Sequence, residues 1–437
     1  MMRFQEPPSS FVEDIPESNP EPDGIDNLLN AELCNLSLDE RGQVFDDIHG
    51  VSDVIEETPE LVSDSLERVD EELKLINDKY AYDFAYALDP KYVKNRVFRL
   101  RFLRATLFDA KATASRIVQH FEIKMELFGK DKLSQDITQD DLDPEDLTML
   151  YAGYYQNIGV RDRAGRGVDL WLTGLKPNLG LDPATETKHR LRRLFYAQMV
   201  ISRDEEIQKK GQVVVVWAVE LPRSANKNRS AVWATVKMLS CLPIRLNAVH
   251  ICFDNLFYKP LITLGSYAAD TFTRVRMRSH FGSCSECIHE LKTFGIPVYA
   301  LPFDENGNAS TENHKAFWAT RRQLERKCSG LGKVLSPGPF DVLLGRGRLC
   351  QEHVGNVRYR KLVVKHKQQY DSASTVDKTA ISFMIINLVK DASGRFLKDN
   401  GDGWVEVDDK RARDKVSHSF RTLRYTNHTT STHTSKP

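Results

Sequence analysis

The sequence predicts an α/β protein with a helical N-terminal subdomain, a mainly parallel β-sheet covered by helices, and a small separate α+β domain near the C-terminus. Two apolar runs carry the sheet prediction: VVVVWAV at 213–219 and LNAVHICF at 246–253. Both are too short for buried helices, and both are apolar at nearly every position, as parallel strands buried on two faces usually are. Helical patterns separate these runs, which favours parallel pairing through right-handed crossovers.

Charge divides the chain into three parts, although the 437 residues sum to a net charge of zero. Residues 1–90 carry 24 acidic and 5 basic side chains, a net charge of −19, whereas residues 91–338 carry +12 and residues 339–437 carry +7. Residues 1–60 are rich in Pro, Ser, Asp and Glu, so we expect a disordered acidic arm there. The alternative is an arm that docks on the basic regions and weakens their hold on an anionic partner.

The remaining boundaries follow from periodicity and composition. Residues 61–150 are predicted to form the helical subdomain, in which Asp109 caps a helix that follows the helix at 96–107. The glycine-containing turn RDRAGRG predicts a hairpin near the start of the sheet domain, which spans 151–305. We then expect, in order, a linker with a helix at 306–338, a basic domain at 339–424 and a disordered tail at 425–437.

Local spacing gives no nucleophile–base pair and no carboxylate dyad, so the sequence predicts no enzyme, no cofactor and no metal. His250 lies inside an apolar strand, where a core histidine is the simpler interpretation. Cys284 and Cys287 form a lone CxxC, which favours structural or free thiols over zinc. The pair Gly345 and Gly347 is only half of a dinucleotide fingerprint. No secretory leader pattern follows the first residues, and no apolar run reaches membrane-spanning length, so a cytoplasmic location is expected.

Five stretches between residues 96 and 305 stand out in order. They are RLRFLRATLFDAKATA, GVRDRAGRGVDLW, VVVVWAVEL, LPIRLNAVHICFDNLFYKPL and RMRSHFG. Together they resemble the CRAL-TRIO lipid-binding domain preceded by its N-terminal helical subdomain. The resemblance implies a cage for one hydrophobic molecule, either a phosphoinositide, another phospholipid or an isoprenoid-like compound, which the protein transfers or senses at the surface of an anionic membrane.

The resemblance also implies site residues. The helix after the core strand, here about 255–270, is the gate in that family. We expect the gate and the cavity lining to include Phe257, Leu261, Leu264, Tyr267, Val215, Trp217, Val249 and Ile251. The basic residues expected at a lipid headgroup or phosphate are Arg245, Arg274, Arg276 and Arg278. The last three alternate along a predicted strand, which would place their guanidinium groups on one face.

Three departures leave the lipid open. Gly167 stands where the GRPV-like motif usually has Pro, and Leu256 stands where the core strand is usually followed by Pro. Members that transfer phosphatidylinositol carry a glutamate at the place of Ile244.

The C-terminal region resembles a small domain that recurs in diatom proteins and has no assigned function. The resemblance rests on FDVLLGRGRLCQEHVGNVRYRKLV and GRFLKDNGDGWVEVDDKRARDKVSHSFRTLR. One predicted helix in this domain carries the basic residues Arg411, Arg413, Lys415, Arg421 and Arg424. A nucleic-acid-associated regulatory protein that acts through this domain is therefore the alternative function, and an acidic protein is the alternative partner.

Overall fold

A computed structural model describes residues 22–219, 229–297, 301–303, 309–329, 333–334, 337–338, 340–345, 347–392, 394–399 and 404–431. The chain divides into two compact units, residues 1–319 and residues 320–437. The predicted fold class is confirmed: the first unit combines helices with a mainly parallel sheet, and the second is a small α+β unit.

The first unit begins with helices only. They are α1 (Pro22–Asn35), α2 (Leu38–His49), α3 (Pro59–Leu75), α4 (Tyr80–Leu88), α5 (Pro90–Val93), α6 (Arg96–Ala105), α7 (Ala110–Phe128) and α8 (Pro144–Tyr151). The Asp109 side chain caps α7 as expected, because it accepts a hydrogen bond from the Ala112 backbone N–H at 2.9 Å.

The structure of the acidic arm differs from the expectation that residues 1–60 are disordered. Helices α1 and α2 cover much of that range, while residues 1–21 lie outside the described part. Helix α2 begins at a reciprocal capping box between Ser37 and Glu40 and ends at Gly50, whose φ of 69° is the left-handed conformation that glycine favours. Val44 and Ile48, four residues apart, are buried on one face of this helix. These caps and this apolar face hold an otherwise acidic segment in a helix.

The sheet has the order β1-β2-β3-β4-β5. The strands are β1 (Tyr155–Arg161), β2 (Gly167–Leu172), β3 (Gln212–Ala218), β4 (Leu246–Phe253) and β5 (Met277–Phe281). Strands β1 and β2 form the antiparallel hairpin around the RDRAGRG turn, and β2 to β5 are parallel. Every residue of β4 is buried, which fits a central strand covered on both faces.

Helices cover both faces of this sheet. They are α9 (Pro183–Ile201), α10 (Glu205–Lys210), α11 (Arg229–Leu239), α12 (Lys259–Ala268), α13 (Thr271–Arg274), α14 (Cys284–Thr293) and α15 (Glu312–Ser329), and α15 runs across the boundary between the units. Val214 and Ile251 belong to the core on the face of α9 and α11. Val215 and Cys252 belong to the opposite core, with Leu291 of α14. The two cores are separated by the sheet itself.

The second unit contains its own sheet and core. Its further elements are β6 (Lys333–Val334), β7 (Val342–Leu344), α16 (Arg348–Glu352), α17 (Val354–Lys365), α18 (Lys367–Ser372), α19 (Thr375–Asp391), β8 (Phe396–Asp399), β9 (Trp404–Glu406) and α20 (Asp409–Ser431). The strand order is β6-β9-β8-β7. Tyr370 and Phe420 stack in the core with ring centroids 3.9 Å apart. Helix α20 extends to Ser431, beyond residue 425 where a disordered tail is expected, and residues 432–437 lie outside the described part.

The glycine in the HVGN sequence of this unit has a structural role. A Cβ atom on Gly355 would lie 2.1 Å from the backbone oxygen of Asp341, far inside contact distance. The next side chain, Asn356, accepts from the Leu343 N–H at 2.6 Å and donates to the Leu343 carbonyl oxygen at 3.0 Å. Helix α17 is thereby fixed against the strand that contains Leu343.

We expect Gly355→Ala to destabilise the second unit by about 3 kcal/mol, because a methyl group there displaces the backbone of Asp341. Hydrogen exchange of residues 340–345 and 354–363 measures the effect locally. The control is Gly42→Ala in α2, where no neighbouring atom lies within 4 Å. Unchanged exchange in Gly355→Ala would contradict the close packing.

Candidate functional site

A cavity of about 540 Å³ lies in the first unit, between the sheet and helices α11 and α12. Its sheet side is formed by Trp171, Val214, Val216, Ala218, Val249, Ile251 and Met277. Its helix side is formed by Val232, Thr235, Val236, Leu239, Leu261, Ile262 and Gly265. Charged side chains, among them Arg116, Arg190 and Arg245, complete the lining. An apolar wall with polar groups placed at part of it is typical of a site for a small hydrophobic ligand.

The register of β3 and β4 decides which strand residues line this cavity. Val214 pairs with Val249, and Val216 pairs with Ile251. Val249 and Ile251 therefore face the cavity. Side chains alternate along a strand, so Val215 and Trp217 point to the α14 face, and their expected place in the lining is corrected.

One turn of helix α12 covers the cavity, and the remainder of the helix packs against α11. Leu261 lines the cavity. Leu264 is fully buried against Trp233 of α11, and Tyr267 packs on the same cluster, so these two hold α12 in place rather than line the cavity. Phe257 precedes α12 and is 45% exposed, which places it on the outer surface.

Polar side chains in the lining are already engaged with one another. The Arg190 guanidinium donates two hydrogen bonds to the Tyr155 hydroxyl oxygen, at 2.7 and 3.0 Å. Lys176 forms an ion pair with Glu186. Arg116 donates to the Ile244 carbonyl oxygen at 2.9 Å, and burial lowers its pKa, an effect that the negative charge of Asp270 opposes. Charged and hydroxyl groups therefore lie at the cavity wall, each with a partner within the protein.

A basic cluster lies beside the cavity, formed by Arg166, Arg245 and Arg276 together with Asn247. Its carboxylate partner comes from α2. The Asp47 Oδ2 atom accepts hydrogen bonds from Arg276 Nε at 2.9 Å and Nη2 at 2.8 Å, and its Oδ1 atom accepts from Asn247 Nδ2 at 3.0 Å. Asp47 and Arg276 are only 6% and 5% exposed, so this ion pair is buried.

The other two arginines of the basic cluster, Arg245 and Arg166, also interact with α2. Arg245 lines the cavity and donates to the Lys209 carbonyl oxygen at 3.2 Å. Burial lowers the pKa of Arg245; the charge of Asp47 opposes this effect, and the charges of Arg276 and Arg166 add to it. Arg166 is ion-paired with Asp162 at 2.6 Å and also donates to the Asp47 and Ile48 carbonyl oxygens at the end of α2. Sequence reasoning missed Arg166, Asn247 and Asp47 as members of this cluster.

Arg274 and Arg278 lie apart from the basic cluster, so the expectation that Arg274, Arg276 and Arg278 share a strand face is corrected. Asp270 caps α13, and this turn contains Arg274; β5 begins only at Met277. Arg274 donates to the Ser266 carbonyl oxygen at 2.7 Å and pairs with Glu32 of α1. Arg278 donates to the carbonyl oxygens of Val275 and Met277, at 3.0 and 2.7 Å.

One cluster resembles a metal site but is a salt-bridge network. Single ligand atoms of Asp143, Asp146 and His189 lie within 4.8 Å of one another. Arg192 pairs with both carboxylates, at 3.4 Å from Asp143 and 2.7 Å from Asp146. His189 Nδ1 lies 2.8 Å from the Asp146 carboxylate. One guanidinium thus pairs with both carboxylates, and the network links α8 to α9.

His250 forms a buried pair with His280. His250 Nδ1 lies 2.9 Å from His280 Nε2, and the ring centroid of Phe294 lies 4.6 Å from that of His250. Burial is the largest cause that lowers the pKa of His250 well below its ordinary value, followed by the charges of His280, Arg166, Arg278 and His49. Cys287 of the CxxC sequence is 1% exposed and lies in the core that also contains Cys252.

In the second unit, α20 turns Ala412, Val416 and Phe420 into the core. Arg411 and Arg421 are exposed, Arg413 and Lys415 are half-buried, and the Arg424 side chain lies outside the described residues. The nucleic-acid or acidic-protein partner of this unit stays a prediction.

The free energy of unfolding is expected to fall as the pH drops below about 6.5. There the unfolded chain protonates His250 at its ordinary pKa, whereas the folded chain, whose His250 pKa is lowered, stays neutral. Urea unfolding at several pH values measures this slope. His250→Asn should reduce the slope without abolishing it, because burial also lowers the pKa of His120, His280 and His314. His289→Asn, at an exposed site, should leave the slope as in the unsubstituted protein. An equal slope in all three proteins would contradict a neutral buried His250.

Among the residues that the structure describes, none of the helices is both long and apolar enough to cross a bilayer.

Comparison with known families assigns only the C-terminal region. Residues 341–422 match the model of a family described as a domain of unknown function (DUF6824), which agrees with the expectation of a C-terminal domain without assigned function. Residues 96–305, which resemble the CRAL-TRIO domain, match no CRAL-TRIO model. Nothing among the curated proteins matches the chain.

Proposed function

We propose that residues 96–305 bind one hydrophobic lipid and transfer or sense it, with α12 as the lid. The observation that carries this proposal is the apolar cavity of about 540 Å³ beneath α12. The CRAL-TRIO resemblance supports the same interpretation, because it implies a gate at 255–270. The proposal assigns binding and exchange to the site, with no step that makes or breaks a covalent bond.

The cavity volume favours one class among the expected lipids. Pockets of about 300–1,000 Å³ hold drug-sized ligands. A volume of about 540 Å³ lies within that range and suits a single acyl chain or an isoprenoid-like body better than a phospholipid with two long chains. We therefore favour a single-chain or isoprenoid-like ligand.

The polar end of the ligand belongs near the basic cluster. Arg245 lines the cavity and also belongs to that cluster, so one guanidinium borders both regions. An arginine pair is well suited to carboxylate or phosphate oxygens, because each guanidinium presents parallel N–H donors. Arg245 and Arg276 are the predicted headgroup residues that we retain. Arg274 has the role of an anchor at the end of the lid.

Exposed apolar side chains next to the lid are the proposed contact with a membrane. Leu256 is 62% exposed and Phe257 is 45% exposed. Phe281 is 59% exposed, and its ring centroid lies 5.4 Å from that of Phe253, three residues before Leu256. Such residues gain free energy when they enter the interfacial region of a bilayer. Insertion there would bring the lid to the lipid surface.

The first experiment is native mass spectrometry of the full chain, with extraction and identification of the lipid that co-purifies. Val216→Trp is expected to abolish this occupancy, because the indole fills the cavity from the centre of β3. Val216→Ile is the matched control and should retain the lipid, since it adds one methylene group. A folded Val216→Trp protein that still carries one lipid per chain would refute the proposed cavity, and thermal unfolding shows whether it is folded.

We expect the double variant Leu256→Ser, Phe257→Ser to slow transfer of a fluorescent fatty acid between vesicles by about tenfold, which corresponds to about 1.4 kcal/mol of lost apolar contact with the bilayer. Lipid occupancy should not change, because Phe257 lies outside the cavity and Leu256 is largely exposed. Leu75→Ser is the control, because Leu75 is 71% exposed at the end of α3. Equal transfer rates for both variants would contradict a membrane contact at the lid.

A further inference from the structure

Helices α1 and α2, here called the strap, cover the segment that connects the lid to β5. Glu32 of α1 accepts a hydrogen bond from Thr271 Oγ1 at 3.0 Å and pairs with Arg274. Arg274 in turn donates to the carbonyl oxygens of Ser266 and Tyr267 at the end of α12. A single carboxylate of the strap thus holds the arginine that caps the lid.

The strap also has an apolar underside on the same segment. Val44 and Ile48 of α2 form a cluster with Val275, which lies between α13 and β5. Leu29 and Leu33 of α1 pack against this cluster. Both strap helices therefore rest on the residues that would have to move if the lid opened.

The third contact of the strap is made by Asp47 and lies in the basic cluster. The Asp47 carboxylate accepts two hydrogen bonds from the Arg276 guanidinium, one from the Asn247 amide and one from the Ser52 hydroxyl at 2.7 Å. A phosphate group with several acceptor oxygens would also satisfy the guanidinium and the amide. Gly50, at the end of α2, brings the strap close to this site: a Cβ atom there would lie 2.9 Å from Arg166 Nη2. The Asp47 carboxylate therefore occupies the position at which we place the headgroup of the ligand.

The net charges of the strap and of the region that it covers also attract each other at longer range. Residues 22–49 contain seven acidic side chains and one arginine, whereas residues 91–338 carry a net charge of +12. Surface charges attract across roughly 10 Å at ordinary salt, and a buried pair is screened less. An anionic phosphate surface repels the strap and attracts the basic cluster. The phosphate surface and the strap therefore compete for the same arginines.

We infer that the strap is autoinhibitory: Asp47 occupies the basic cluster and Glu32 anchors the lid until a phosphate-bearing ligand displaces Asp47. The inference rests on the proposed function, because it regulates the same cavity. The ligand chemistry is a phosphate group, either on a lipid headgroup or free in solution. Displacement of α2 removes the contacts of Val44 and Ile48 with Val275, and this loosens the lid.

The first test needs no substitution. Hydrogen exchange of residues 27–49 is measured in the full chain alone, with inorganic pyrophosphate, and with vesicles that contain phosphatidylinositol phosphate. Phosphatidylcholine vesicles and sodium chloride of equal ionic strength are the controls. Faster exchange with both phosphates supports the inference for any phosphate, and faster exchange with the vesicles alone assigns it to the lipid headgroup. Unchanged exchange with both would overturn it.

The second test uses Asp47→Asn, which keeps the side-chain size and removes the charge. The expected result is pyrophosphate binding about tenfold tighter than in the unsubstituted protein, because the internal competitor is weakened. Asp39→Asn is the matched control, since Asp39 is an exposed carboxylate on the same helix. A folded Asp47→Asn protein with unchanged pyrophosphate affinity would overturn the inference.

Lipid transfer separates this inference from the proposed function. Pyrophosphate binding and exchange of the strap are measured without a cavity lipid, so an empty cavity would refute the proposed function alone. If the cavity holds a lipid, Asp47→Asn should transfer it faster than Asp39→Asn. A loaded cavity with equal transfer rates in these two variants would refute the link between the strap and the lid.

Discussion

The parallel pairing of β3 with β4 is the constraint on which the first unit depends. Both strands are apolar on two faces, and their register sends Val214 and Val249 to one side and Val215 to the other. On the α14 side these side chains meet a close-packed core. On the α11 side they meet a cavity, because α12 stands off from the sheet and is supported by Leu264 on α11 rather than by the strands. The same pair of strands therefore forms one wall of the close-packed core and one wall of the cavity.

The same pair explains what the sequence can and cannot predict. A run such as VVVVWAV identifies a buried strand because nearly all of its residues are apolar. That same uniformity removes the alternation that would tell which face each residue occupies. Val249 and Ile251 line the cavity whereas Val215 and Trp217 lie in the opposite core, and only the register between β3 and β4 shows this difference. Fold class follows from composition along the chain, whereas a cavity lining follows from register.

The acidic arm shows a different limit. Its composition is typical of disorder, but Ser37 and Glu40 form a capping box and Gly50 ends the helix, and these signals were present in the sequence. What no local pattern reveals is the partner of Asp47, which lies about 200 residues away in the chain at Asn247 and Arg276. Alternation of basic residues at 274, 276 and 278 likewise predicts a strand, whereas the Asp270 side chain caps a short helix that contains Arg274.

Gly50 ends the strap and the chain runs on directly to α3, so Asp47 is tethered to the body that it contacts. A tethered group competes at a fixed effective concentration, which for a short connection is on the order of millimolar. If a phosphate displaces Asp47 as we infer, free anions well below that concentration would leave the strap in place, whereas a surface densely covered with phosphate would release it. The tether would then set a threshold that separates a crowded anionic surface from the same anions dispersed in solution.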